Sequence, residues 1–178
     1  MEVRQAEAGG VFDYNSFFPA AKQLFSDISS NAGVQWKHRE NDFTDYNKQY
    51  LIPHALSTRG PKLAVADVNK DGLDDFFVCG ATGQPGQLMI QLSNGTFASS
   101  DTALFGQTVQ GENVDAVFFD ANQDTYPDLY VASGGNQYND GSQFLSDHFY
   151  LNDGKGHFIQ RDNAVPALLK NKSCVSAA

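Results

Sequence analysis

Two short stretches of the chain carry carboxylate or amide side chains at positions 1, 3, 5 and 9 of a nine-residue segment. These residues are Asp67, Asn69, Asp71 and Asp75 in "DVNKDGLDD", and Asp120, Asn122, Asp124 and Asp128 in "DANQDTYPD". Three carboxylates in so short a loop repel one another unless a cation neutralises them. Ca²⁺ accepts about six to eight oxygen ligands at flexible geometry, whereas Mg²⁺ gives up its waters reluctantly. The pattern therefore predicts one Ca²⁺ site in each loop.

An EF-hand is the first alternative to consider, because its loop begins in the same way. It closes with a bidentate glutamate at position 12 and lies between two helices. Position 12 is Val78 in the first loop and Val131 in the second, and both valines lie in β-rich runs. An EF-hand is thus excluded. A metal-free turn with solvated Asp and Asn side chains is the other alternative, and the recurrence of the pattern argues against it.

The second loop differs from the first at position 6, where Thr125 replaces Gly72. This position must turn sharply, and a β-branched residue does so less easily than glycine. Pro127, at position 8, suits a loop that leads into a strand, because it fixes φ and donates no hydrogen bond. We therefore expect a weaker or less regular site in the second loop.

The two loops belong to an internal repeat. "LAVADVNKDGLDDFFVCGA" (63–81) aligns with "DAVFFDANQDTYPDLYVASGG" (115–135), so that Asp120 follows Asp67 by 53 positions. Each copy reads strand, acidic loop, strand, and is followed by a hairpin with an Asn-Gly or Asp-Gly turn, at 88–97 and 148–158. The sequence therefore predicts an all-β fold with β-propeller-type blades of four antiparallel strands and calcium-binding hairpin loops.

The repeat divides the chain into five segments. They are an N-terminal lead-in (1–24), the end of a preceding partial repeat with linking strands (25–61), a first repeat (62–113), a second repeat (114–172) and the start of a truncated third repeat (173–178). A closed propeller needs at least about four blades, so we expect a fragment of a larger propeller. Its open edges would pair with the remaining blades of the parent protein or with another copy of the chain.

Two assignments in the N-terminal part depend on periodicity alone. "VFDYNSFFPAAKQLF" (11–25) is compatible with a short amphipathic helix, and "GVQWKHRENDFTDYNKQYLIPHAL" (33–56) with two strands around a polar loop. The aromatic clusters in these stretches could stack on sugar rings or could fill a core.

Charge and composition exclude several functions. A formal net charge of -9 and a pI near 4.6 would repel nucleic acid and anionic membranes. No apolar run reaches the roughly 20 residues of a transmembrane helix, and no signal peptide is present at the N-terminus. Cys79 and Cys174 form no metal-binding spacing and are expected to be two unrelated buried thiols.

Catalytic motifs are missing from the sequence. The four histidines show no HExxH spacing, and no GxSxG or P-loop is present. The aspartates that could act as paired catalytic carboxylates already belong to the predicted cation loops. We therefore expect a protein that is not an enzyme, with a carbohydrate-binding or carbohydrate-processing module on a propeller scaffold as the alternative.

The motifs of residues 25–178 resemble the FG-GAP/VCBS repeats of integrin α-subunit-like β-propellers. The runs at 60–91 and 150–158 are similar to the bacterial ASPIC/UnbV-associated type. The resemblance implies that each calcium loop also uses a main-chain oxygen at position 7, and Thr125 and Pro127 depart from the family's glycine-rich loop. The implied ligands are Asp67, Asn69, Asp71, Leu73 and Asp75, and Asp120, Asn122, Asp124, Tyr126 and Asp128.

The resemblance also implies a location and a role. Proteins with such repeats are secreted, periplasmic or on the cell surface, so an extracytoplasmic location is expected. Calcium is structural in these repeats, and the ligand surface lies elsewhere on the propeller. The expected function is therefore a calcium-binding structural and interaction module with a protein or glycan partner.

Overall fold

The described residues of the chain form two antiparallel sheets of four strands each. The computed structural model describes residues 13, 18, 24–58, 60–166 and 169. The first sheet contains β1 (Leu63–Ala66), β2 (Asp75–Val78), β3 (Gln87–Gln91) and β4 (Phe97–Ser100), and the second contains β5 (Glu112–Phe119), β6 (Asp128–Gly134), β7 (His148–Asn152) and β8 (Phe158–Gln160). In both sheets the strands lie in chain order. The predicted all-β fold with four-stranded, propeller-type blades is confirmed.

A short helical connection joins the two blades. It consists of α1 (Thr102–Phe105) and a 3-10 helix at Gly106–Thr108. Asp101, just before α1, accepts hydrogen bonds from the backbone amide of Phe158 at 2.8 Å and from Nδ1 of His157 at 3.1 Å. The connection therefore also holds the outer strand β8 of the second blade. Further 3-10 turns lie at Asp45–Asn47, Gln143–Leu145 and Asp162–Ala164.

One hydrophobic core lies between the two sheets. Phe105 packs between Phe77 and Tyr150, with ring centroids 5.0 and 5.1 Å apart. Each such side chain contributes roughly 1.5–3 kcal/mol on full burial. The core draws on both blades and their connection, and its members are Ala64, Val68, Phe77, Cys79, Leu88, Phe105, Ala116, Leu129, Val131, Tyr150 and Phe158.

The strand register places both acidic loops at the same end of their sheets. Ala66 pairs with Asp75 across β1 and β2, and Phe119 pairs with Asp128 across β5 and β6. Each loop therefore closes the first hairpin of its blade. Because antiparallel strands alternate in direction, the β2–β3 and β6–β7 loops lie at the opposite end.

Residues 33–56 do not form the two strands considered from the sequence, so that assignment was wrong. The segment runs irregularly, with only the 3-10 turn at Asp45–Asn47. It starts beside Phe97 of β4, and its residues 39–48 bond to the loops at the sheet end opposite the acidic loops. Its backbone forms hydrogen bonds with the side chains of loops and not with a neighbouring strand. For example, the amide of Arg39 donates to Oε1 of Gln84 at 2.7 Å. The considered helix at 11–25 lies almost wholly outside the described residues, and the truncated repeat at 173–178 lies entirely outside them.

The boundary between the predicted repeats is slightly displaced in the structure. Strand β5 begins at Glu112, inside the segment assigned to the first repeat, and its pairing shifts between Asn113 and Asp115.

Cys79 is buried, and burial raises the pKa of its thiol to about 12, whereas Cys174 lies outside the described residues. Within the described part of the chain, no helix is long and apolar enough to cross a membrane.

Candidate metal centre

In the first acidic loop, side-chain oxygens accept hydrogen bonds from backbone amides of the same loop. Asp67 accepts hydrogen bonds from the amides of Asp71 and Gly72 at 3.1 and 2.8 Å. Oδ1 of Asn69 accepts from the amide of Asp71 at 3.0 Å, and Oδ1 of Asp71 accepts from the amide of Leu73 at 2.9 Å. Such side-chain-to-backbone bonds fix a turn of this length. Positions 1, 3, 5 and 7 of the loop are thereby brought together.

Asp75, at position 9, connects this loop to the body of the first blade. The residue is fully buried, and its two carboxylate oxygens accept from the amides of Val68 at 3.0 Å and Gln91 at 2.8 Å. Burial raises the pKa of Asp75, and the charges of Asp71 and Asp67 add to the rise, against the lowering effect of the two hydrogen bonds. The two hydrogen bonds therefore do not fully offset the cost of burying the charged form of Asp75.

The second loop repeats this arrangement bond for bond. Asp120 accepts from the amides of Asp124 and Thr125 at 3.1 and 2.8 Å, the same distances as at Asp67. The other pairs are Asn122 with Asp124 at 2.9 Å, Asp124 with Tyr126 at 2.8 Å, Asp128 with Ala121 at 3.1 Å and Asp128 with Asn152 at 2.8 Å. Asp128 is fully buried, and burial raises its pKa, as do the charges of Asp124 and Asp120. The two loops thus share one architecture.

Position 6 has the same backbone conformation in both loops, although the residues differ. Gly72 has a φ of 84° and Thr125 a φ of 75°. The second loop is therefore not less regular, contrary to one of the two expectations drawn from Thr125. A β-branched residue in this left-handed region costs about 1–2 kcal/mol. The difference between the loops lies in conformational strain.

Exchanging the residues at position 6 should reveal this strain. Thr125→Gly should raise the free energy of unfolding by about 1 kcal/mol, since it relieves the left-handed conformation and loses only an exposed hydrogen bond from Lys70. Gly72→Thr is the matched control and should lower the free energy of unfolding by a similar amount. No atom lies within 4 Å of a Cβ at this position, so the loss would come from backbone strain and not from a steric clash. Urea unfolding measures both, and a loss of stability in Thr125→Gly would contradict the strain.

The two loops also contact each other. The ammonium of Lys70 donates to the hydroxyl of Thr125 and lies 4.1 Å from the centroid of the Tyr126 ring. Behind them, the buried side-chain amide of Asn152 donates to the carbonyls of Val68 at 2.8 Å and Pro127 at 3.0 Å. Sequence reasoning marked Asn152 only as part of a hairpin, because nothing local shows that it joins two blades.

The fit of this centre to a metal can be judged from its donors. Among the described residues, no three His, Cys, Asp or Glu side chains converge as a ready metal cage, because the loop carboxylates bind backbone amides. The side-chain donors are nevertheless all oxygens, and they include the carboxylates of the buried Asp75 and Asp128, whose pKa values burial raises. This donor chemistry fits a hard cation, and Ca²⁺ in particular tolerates the flexible geometry of a loop.

A second acidic group lies at the opposite end of the sheets. Glu112 is only 7% exposed and lies against Gly135. Burial raises the pKa of Glu112 to about 8, with further contributions from the charges of Glu40 and Asp45. Asp45 is also buried, and although burial alone would raise its pKa, hydrogen bonds from Ser57 lower it. Sequence reasoning did not identify this group, because its members are far apart in the chain.

Glu112 should make the stability of the protein depend on pH. The pKa of Glu112 in the folded state is above the ordinary value of 4.5. The stabilisation that comes from protonated Glu112 is therefore fully present below about pH 4.5 and is lost as the pH rises toward 8. Relative to the wild type, Glu112→Gln should become more stable by about 2 kcal/mol between pH 5 and pH 9, allowing for partial solvation. Urea unfolding at the two pH values measures this, and a difference that stays constant would contradict it.

Comparison with known proteins adds one finding. Residues 67–131 match the family model of the FG-GAP-like repeat. The matched span begins at the first residue of the first acidic loop and extends through the whole of the second. No curated protein matches the chain.

Proposed function

We propose that this chain, which contains an FG-GAP-like repeat, is a calcium-binding β-propeller segment of a secreted or cell-surface protein, and that it is a structural and interaction module without catalytic activity. One observation carries the proposal. Two loops, one in each blade, share the same network of hydrogen bonds around a fully buried aspartate. A repeated structural device of this kind is typical of a module stabilised once per repeat.

The loop residues would hold the cation and transmit its effect to the blade. The proposed ligands are the side chains at positions 1, 3, 5 and 9 with the main-chain oxygen of Leu73 or Tyr126 at position 7. Ca²⁺ supplies the positive charge that the clustered carboxylates lack. Since Asp75 also binds the amide of Gln91 in β3, fixing it would join the first three strands of the blade.

The affinity expected of such loops favours an extracytoplasmic location. Calcium sites of extracellular modules commonly bind in the range of about 0.1–1 mM. Such sites fill only where calcium is abundant, as it is outside the cytoplasm.

Thermal unfolding with and without calcium tests the proposal. Millimolar Ca²⁺ should raise the Tm above its value in EDTA, since a ligand at about 1–10 times its Kd stabilises the folded state by about 0.4–1.4 kcal/mol per site. Asp71→Asn should remove most of the shift due to the first loop, and Asp124→Asn should remove less if the strain at Thr125 weakens the second site. Asp74→Asn is the matched control, because exposed Asp74 lies in the same loop but outside the proposed ligand set.

An equal Tm in calcium and EDTA would contradict the proposal. So would an Asp74→Asn variant that loses as much of the shift as Asp71→Asn, since the effect would then follow net charge and not the ligand positions. A larger loss in Asp124→Asn than in Asp71→Asn would contradict the ranking of the two sites.

A further inference from the structure

A cleft of about 500 Å³ lies beside the β2–β3 loop, at the sheet end opposite the acidic loops. One wall is the segment 35–41 and the other is formed by residues 82–84. Its volume is within the range of small-ligand sites, roughly 300–1,000 Å³. Trp36 is the one large apolar side chain among the lining residues. The cleft therefore combines a single aromatic surface with a mostly polar rim.

The wall that carries Trp36 is fixed by hydrogen bonds on both sides. Oε1 of Gln84 accepts from the amide of Arg39 at 2.7 Å, and Nε2 of the same side chain donates to the carbonyl of Lys37 at 2.8 Å. Nδ2 of Asn41 donates to Oε1 of Gln137 at 2.7 Å, which connects this wall to the second blade. A site held in this way is already ordered before a ligand arrives, so binding costs less conformational entropy.

The polar groups of the cleft are suited to hydroxyl groups. The hydroxyl of Thr82 is buried and has no hydrogen-bond partner among the described residues. Exposed Arg39 offers several donors and Glu40 offers acceptors, and Oε1 of Glu40 is held by Nε2 of His38 at 2.6 Å. The hydroxyl oxygen of Thr82 is shielded from solvent, so the hydrogen-bonding groups of this set that a ligand can reach are those of Arg39 and Glu40.

The ligand must match both features. A pyranose ring has a face of C–H groups that packs on an aromatic ring and an edge of hydroxyls that bond to carboxylate, guanidinium and hydroxyl groups. A purely apolar ligand would leave the polar rim unpaired. A simple anion could pair with Lys37 or Arg39, but it would leave the ring of Trp36 and the acceptors of Glu40 unused.

We propose that this cleft binds one pyranose ring of a glycan, with the indole of Trp36 against the ring and Arg39 and Glu40 bonding its hydroxyls. The inference rests on the proposed role as an interaction module and names the chemistry of its partner. It places the binding surface at the end of the blades opposite the calcium loops. The cleft and the loops are separate sites, so each can fail without the other.

Trp36 is the single tryptophan of the chain, so intrinsic fluorescence reports on the cleft directly. The full chain in calcium is screened on a glycan array and then titrated with the methyl glycosides of glucose, galactose, mannose and N-acetylglucosamine. We expect array binding and a saturable fluorescence change with at least one of them. Trp36→Ala should weaken array binding at least about tenfold, and Trp36→Phe should weaken it less, because it keeps an aromatic face.

Control variants separate this inference from the calcium proposal. Tyr50→Ala removes an aromatic ring that is 82% exposed and outside the cleft, and it should leave glycan binding unchanged. The calcium-dependent Tm shift should be the same in all three variants. Absence of glycan binding with an intact calcium shift would overturn the cleft alone, and glycan binding without any calcium shift would overturn the calcium proposal alone. A Trp36 response to a peptide library but to no glycan would overturn the glycan assignment.

Discussion

Replacing Asp75 with alanine should lower the free energy of unfolding by about 3 kcal/mol, even when calcium is removed with EDTA. The buried amide of Val68 and the amide of Gln91 would both lose their acceptor, and each unsatisfied buried donor costs about 1–3 kcal/mol. Relief of the buried charge, which is reflected in the raised pKa of Asp75, offsets part of this loss. Urea unfolding in EDTA measures the difference.

Two further variants identify the cause of this effect. Asp74→Ala removes an adjacent exposed carboxylate and should change stability by less than about 0.5 kcal/mol. The loss of stability in Asp75→Asn should fall between those of Asp75→Ala and Asp74→Ala. The amide oxygen of the asparagine can replace one of the two acceptors, its nitrogen cannot replace the other, and no charge is buried. If Asp75→Ala were no more destabilising than Asp74→Ala, the buried aspartate would not hold the loop to the blade.

Replacing Asn152 with alanine should cost about 2–3 kcal/mol of stability. Its buried side chain donates to the carbonyls of Val68 and Pro127 and accepts from the amide of Gly154 at 2.9 Å. Each bond contributes about 1 kcal/mol net, and the buried carbonyls would be left with fewer partners. The expected loss appears in urea unfolding as a lower midpoint.

Gln91 provides the matched control for Asn152. Its backbone amide binds Asp75 just as the amide of Asn152 binds Asp128, but within the described part of the chain its side chain forms no such bridge between loops. Gln91→Ala should therefore cost less than about 1 kcal/mol. Equal losses in the two variants would show that the bridge between blades contributes nothing beyond ordinary packing.

The blades and the acidic loops could be predicted because their signals are local and repeated. Alternating side chains, Asn-Gly and Asp-Gly turns and the spacing from Asp67 to Asp75 each act within about ten residues. The same pattern recurs 53 positions later, and this repeat predicted the order of the strands. The conformation of Thr125 was the exception, since the bonds of the rest of the loop outweigh its preference.

The opposite end of the sheets could not be predicted, because its structure depends on contacts between distant segments. Residues 33–56 contain aromatic residues at spacings that suggest strands, yet they bond to side chains and carbonyls of the loops from both blades. Glu112 stands in a strand with no motif around it, and its raised pKa results from burial and from residues about 70 positions away. Propensity and spacing contain no information on such contacts.

Calcium titration calorimetry of the EDTA-treated chain tests the central claim most directly. The wild type should bind two Ca²⁺ per chain, one in each loop, and Asp71→Asn should retain only the site in the second loop. The double variant Asp71→Asn/Asp124→Asn should bind none, whereas Asp74→Asn should bind two. A wild type that binds no Ca²⁺ at millimolar concentration would show that the loops are stabilised by their own hydrogen bonds alone, and would contradict the calcium proposal.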